Sequence, residues 1–93
     1  MIRFEWDPRK ATQNERKHSV SFPEAATVFR DMHAYIFDDD DHSQVEHREI
    51  IIGYSDRKRL LVVSFVERYD VIRVISARKA DRGEYEKYEK ASR

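Results

Sequence analysis

The sequence predicts an α+β fold: a small antiparallel β-sheet packed with two N-terminal helices and a C-terminal helix. Three observations predict it. Residues 47–55, 59–67 and 69–77 are apolar runs rich in Ile, Val and Leu, joined by short polar links, which reads as a meander of hairpins. Two helix-start signals lie ahead of them, Asp7-Pro8 and Ser21 with Glu24. The last 17 residues, 77–93, form a charged segment with Tyr85 and Tyr88 on helical spacing. With 93 residues the chain is expected to be one domain, 1–93, with a single modest core.

Each element follows from its residues. In IRFEW (2–6), Ile2, Phe4 and Trp6 alternate with Arg3 and Glu5, the pattern of a half-buried strand. Asp7 then caps a helix that has Pro8 at its first position. That helix, 8–18, is polar, with Ala11 as its main core anchor and a basic tail suited to the helix dipole. Ser21 and Glu24 form a capping-box pattern for a second helix over 21–31, whose stripe of Phe22, Ala25, Ala26, Val28 and Phe29 faces the core. A short strand is expected within 33–39, followed by the three stronger strands. The run 59–67 is central, and 69–77 is interrupted by Arg73. Gly83 weakens the start of the last helix.

Composition removes several function classes. The chain has no cysteine, so disulfides and thiolate metal sites are excluded. MIRFEWDPRK has no apolar core of a leader peptide, and no stretch is long enough to span a membrane, so a cytoplasmic protein without membrane contact is expected. No P-loop, GxSxG or cysteine nucleophile is present. Net charge is zero, yet the charges are segregated. Residues 38–49 carry six acidic groups against Arg48, and residues 57–79 carry seven basic groups against Glu67 and Asp70. A basic face able to meet a polyanion is therefore compatible with a neutral total.

The stretch FDDDDHSQVEHRE (37–49) invites a metal reading. Hard cations need oxygens converging on one point, whereas strand side chains alternate, and no glycine is present for a coordinating turn. No metal and no cofactor are expected, and the aspartates read as a solvated acidic turn. His42, Glu46 and Arg48 could supply a base, an acid and a phosphate clamp, or form surface ion pairs. Arg73 needs a partner if buried, such as Glu46 or Glu67, or else marks an anion site. Ser76, Arg78 and Lys79 sit at the strand-to-helix junction, where helix amides could bind phosphate, or where the helix is simply capped. Tyr88 could pack on the sheet or stack on a base.

FEWDPRKATQNERKHSVSFPEAATVFRD, D-x-x-H-S-x-x-E-x-R, IGYS and IRVISARKADRGEYEKYE occur in this order across nearly the whole chain. Together they resemble the BrnT family, toxins of type II toxin–antitoxin modules with a RelE-like ribonuclease fold. The motif positions are Asp39, His42, Ser43, Glu46, Arg48, Ser76, Arg78, Glu84 and Tyr88. The resemblance implies an endoribonuclease that cuts RNA and inhibits translation. It implies a BrnA-like ribbon-helix-helix antitoxin as partner, and DNA contact only through that antitoxin. A non-catalytic RNA- or protein-binding module of the same fold is the alternative. Chemistry then suggests roles for metal-free cleavage through the 2′-OH. Glu46 or His42 is the base, Arg48, Arg73 and Arg78 hold the phosphate, and His42 or Tyr88 is the acid. Arg59, Ser76 and Lys79 are the expected RNA contacts.

Overall fold

The meander forms as expected, and the first strand joins it from a direction the sequence does not reveal. In the computed structural model, which describes residues 2–40 and 46–92, the chain runs β1 (Arg3–Glu5), α1 (Pro8–His18), α2 (Phe22–Thr27), a 3-10 turn (Val28–Arg30), β2 (Tyr35–Asp38), β3 (Arg48–Tyr54), β4 (Leu60–Arg68), β5 (Val71–Lys79) and α3 (Arg82–Ala91). The strand order is β1-β5-β4-β3-β2. All pairs from β2 to β5 are antiparallel, but β1 lies parallel to β5, with Arg3 opposite Val71 and Glu5 opposite Arg73. The sheet is therefore mixed, a correction to the expected antiparallel sheet. A parallel partner need not be close in sequence, so alternation within IRFEW could not identify it.

Local chemistry sets the helix limits. Asp7 accepts a hydrogen bond from the Arg9 amide, and Pro8 begins α1. Ser21 caps α2 through the Glu24 amide. The expected 21–31 helix tightens after Thr27, whose hydroxyl donates to the Glu24 carbonyl at 2.7 Å and gives the backbone an alternative to the α-helical pattern. At the far end, Asp81 and Glu84 form a complete capping box, so α3 starts at Arg82 and β5 continues through Lys79.

The buried Asn14 anchors α1 more firmly than its polar sequence suggests. Its amide nitrogen donates to the carbonyls of Val20 and Ala77 at 3.1 and 2.8 Å, and its oxygen accepts from the Ala77 amide at 3.1 Å. One side chain thus takes both backbone groups of Ala77, on the part of β5 beyond the reach of β1.

Strand alternation divides the core between two faces. Ile51, Leu61, Val63, Phe65, Ile72 and Val74 meet α1 and α2, together with Val20, Phe22, Ala25 and Val28. On the opposite face Ile52, Leu60 and Val62 form a smaller cluster, closed by Tyr88 of α3. Gly53 is required where the 3-10 turn crosses β3, since a Cβ there would stand 2.9 Å from Val28 Cγ1. Because α3 covers only one end of its face, the other end of the sheet is left open there.

Candidate functional site

The open end is built from cross-strand neighbours. Arg48 of β3 stands opposite Val66 of β4, Val66 opposite Arg73 of β5, and Arg73 opposite Glu5 of β1. These four share one face because facing residues in paired strands point the same way. Arg68, Val71 and Arg3 form the adjoining row. A cavity of about 320 Å³ opens here, with Val66 and Val71 as apolar lining and Glu5, Glu46, Arg68 and Arg73 as its charged groups.

Two ion pairs fix the charged side chains. Arg73 Nη1 lies 2.9 Å from Glu5 Oε2, and Arg68 Nη2 lies 2.8 Å from Glu46 Oε2. All four side chains are 42–70% exposed. Ion pairs in such positions contribute roughly 0–1 kcal/mol, so they hold the cations in place without preventing exchange. A guanidinium offers paired N–H donors to phosphate as readily as to carboxylate. The arrangement can therefore present two arginines to an anion, with Arg48 about two strand spacings from Arg73, roughly 10 Å.

Of the residues singled out in the sequence, Glu46 and Arg73 line this cavity, and Arg48 lies on the same face opposite Val66. The structure adds Glu5 and Arg68, which the sequence reading missed. The signal for Glu5 was its outward position with Arg3 in IRFEW, and Arg68 lies just past the end of the apolar run 59–67. Neither could be assigned without knowing the strand neighbours. The partner of Arg73 is Glu5, not Glu46 or Glu67. His42 lies outside the described residues.

The remaining candidates separate from this site, and the shared phosphate clamp of Arg73 and Arg78 is corrected. Arg78 pairs across to Val62, four residues along β4 from Val66, or roughly 13 Å. It makes two hydrogen bonds to Glu84 at 2.8 and 2.7 Å. These bonds hold the Glu84 carboxyl below its ordinary range despite burial, and they raise Arg78. The proposed anion site at the start of α3 is also occupied internally: the Glu84 amide donates to Asp81, and the Asp81 amide donates to Glu84. Ser76 is exposed near the β5 irregularity, while Lys79 is opposite Leu61 and so belongs to the other face.

Tyr88 is anchored in the structure, away from the arginine row. Its hydroxyl donates to Asp31 Oδ2 at 2.8 Å, and its ring meets Tyr54 edge-on at 5.3 Å. Burial, reinforced by the Asp31 carboxylate, pushes its phenol up to about 12. Burial alone would raise Asp31, but hydrogen bonds from the Tyr54 and His33 amides and from Tyr88 leave it lowered.

Arg59, expected as an RNA contact, is bound internally in the structure. It binds both oxygens of Glu24 and the Ser19 carbonyl, and Ser55 donates to Glu24 Oε2 at 2.7 Å. The Glu24 side chain is 4% exposed. The Arg59 hydrogen bond is the main reason its carboxyl lies below the ordinary range.

At the sheet margin, ligand atoms of Asp38, His47 and Glu49 lie within 4.8 Å of one another. Asp38 Oδ1 and His47 Nε2 are 3.0 Å apart and largely exposed. An exposed histidine–carboxylate contact accounts for that approach.

The family described as "Ribonuclease toxin, BrnT, of type II toxin-antitoxin system" matches residues 6–84. The chain belongs to the BrnT family. Among solved structures it is similar to the ribonuclease toxin BrnT of Brucella abortus, with a TM-score of 0.67 and 22% identity over 88% of this chain and 100% of that one. That likeness carries the fold. No curated protein sequence matches the chain. The BrnT-matching span contains Glu46, Arg48, Arg68 and Arg73, begins one residue after Glu5 and ends before Tyr88. Among the described residues, no helix of this BrnT-family chain is long and apolar enough to cross a membrane.

Proposed function

We propose that this BrnT-family chain is a metal-independent endoribonuclease whose RNA phosphate docks in the cavity between Arg68 and Arg73. The observation that carries this reading is the open row Arg48–Val66–Arg73 beside a cavity with Glu46 on its wall. Glu46, now bonded to Arg68, takes the proton from the 2′-OH. The resulting oxygen attacks phosphorus as the bond to the 5′-oxygen breaks, leaving a 2′,3′-cyclic phosphate. Arg48, Arg68 and Arg73 stabilise the charge that builds on the phosphorane. His42 remains the candidate to protonate the departing 5′-oxygen. A BrnA-like ribbon-helix-helix protein neutralises the toxin and supplies any DNA contact.

Cleavage of a defined RNA in EDTA tests this. We expect Glu46→Ala and Arg73→Ala each to lower the rate by roughly 10²–10⁴-fold, with cyclic phosphate as the wild-type product end. Undiminished cleavage by both variants would overturn the assignment. Wild-type activity that requires a divalent metal would overturn the metal-free mechanism, and tight RNA binding without cleavage would favour a binding module.

A further inference from the structure

The sheet face that carries α1 and α2 is also partly uncovered, and its chemistry is unlike that of the arginine row. Beyond Phe29 two adjoining concavities of about 290 and 320 Å³ share Ile2 and Phe29. Ile2 is 56% exposed and Ile36 is 50% exposed. Ile36 lies opposite Ile51, so both point to this face, as do Glu49 opposite Phe65 and Glu67 opposite Ile72. Glu49, Glu67 and Asp31 line the first concavity, and no lysine or arginine among the described residues does. Asp38 adds a further carboxylate opposite Glu49.

Arg30 is the charged residue of the second concavity, so the first is the apolar groove with an acidic rim. An RNA would meet repulsion there. A second copy in two-fold register would set the same carboxylates against each other. An acidic rim also disfavours an anionic lipid surface. The complementary occupant is a protein segment with aliphatic or aromatic residues on one side and lysine or arginine at its edges. We propose that this groove seats such a basic amphipathic segment of the antitoxin; the proposal rests on the toxin–antitoxin reading above. It places antitoxin docking on the opposite side of the sheet from the arginine row, so the two surfaces can be altered separately.

The test uses the full chain and the protein encoded beside it in the same operon. Binding is measured for wild type, Ile36→Asp and Glu67→Lys, with thermal melting as the check on folding. Each substitution should raise Kd at least tenfold, while each variant should still arrest growth when expressed without the neighbouring gene. Glu67→Lys keeps the test decisive if Ile36→Asp unfolds, because Glu67 is exposed. Binding by folded variants within twofold of wild type would overturn the groove as the docking site. A wild-type dimer in the absence of partner, broken by Ile36→Asp, would assign the groove to a second copy instead. Failure of the wild type to bind the neighbouring gene product would overturn the toxin–antitoxin reading itself, and the docking proposal with it.

Discussion

Replacing Arg59 with alanine separates a structural cation from an RNA-binding one. The Arg59 side chain is 25% exposed and that of its partner Glu24 is 4% exposed. Removing Arg59 leaves the carboxylate with the Ser55 hydroxyl and with Arg57, 3.9 Å away and mostly in solvent. Breaking a fully buried pair costs about 3–5 kcal/mol. Partial exposure of Arg59 and the proximity of Arg57 reduce this to about 2–3 kcal/mol. For a domain of this size each kcal/mol shifts Tm by about 4–8 °C, so a drop of about 10–20 °C is expected. The effect depends on pH with a definite sign. Glu24 has a lowered pKa in the folded chain, so the pair stabilises above the ordinary carboxylate range and loses its effect as pH falls through the folded value. The difference between wild type and variant should therefore be large at pH 7 and smaller near pH 3. Circular dichroism melts at both pH values measure this, with RNA cleavage assayed well below the variant's Tm. An unchanged Tm with lost cleavage would refute the structural role and restore Arg59 as an RNA contact.

Two further substitutions probe buried hydroxyls. Tyr88 has a raised pKa, so its contribution is fully present below pH 10 and is lost as pH rises through about 12. Tyr88→Phe should cost about 1 kcal/mol at neutral pH, weaken the alkaline loss of stability seen in pH-dependent melts, and preserve cleavage. Loss of cleavage at unchanged stability would reinstate Tyr88 as the acid. Ser64 Oγ is buried without a hydrogen-bond partner among the described residues, so Ser64→Ala should leave stability unchanged or raise it by up to about 1 kcal/mol. A destabilisation of more than about 1 kcal/mol in urea unfolding would reveal a partner for that hydroxyl.

Element order was legible because each strong element carries its own local signal. Asp7-Pro8 states where α1 begins, and the apolar runs at 47–55, 59–67 and 69–77 contain β3, all of β4 but Arg68, and most of β5. What sequence could not provide was any fact that depends on a distant neighbour. The parallel pairing of β1 with β5 joins residues 68 apart, Arg3↔Val71 to Glu5↔Arg73, and it is this pairing that supplies Glu5 to the cavity. Asn14 looked like one more polar residue of α1, because its value lies in a contact to Ala77. Arg59 and Arg73 are both arginines at apolar strands, and composition treats them alike. Only the surroundings distinguish them: Glu24 is deeply buried, whereas Glu5 is half in solvent.

The same dependence on neighbours explains how a chain of zero net charge can present two surfaces of opposite character. Arg48 and Glu49 are adjacent, as are Glu67 and Arg68. In a helix or loop such pairs would nearly cancel. In a strand, adjacent side chains point to opposite faces, so each pair places its arginine on the open face and its glutamate on the grooved one. The antiparallel register then brings the contributions of β3 and β4 together, with Arg48 opposite Val66 and Glu49 opposite Phe65. A one-residue slip of either strand would exchange the faces and expose the apolar core along with them. Burial of Ile51, Val63 and Phe65 therefore fixes the charge pattern as firmly as it fixes the fold. Hydrophobic packing sets which face the arginines occupy, and the proposed RNA site depends on the core for its polarity.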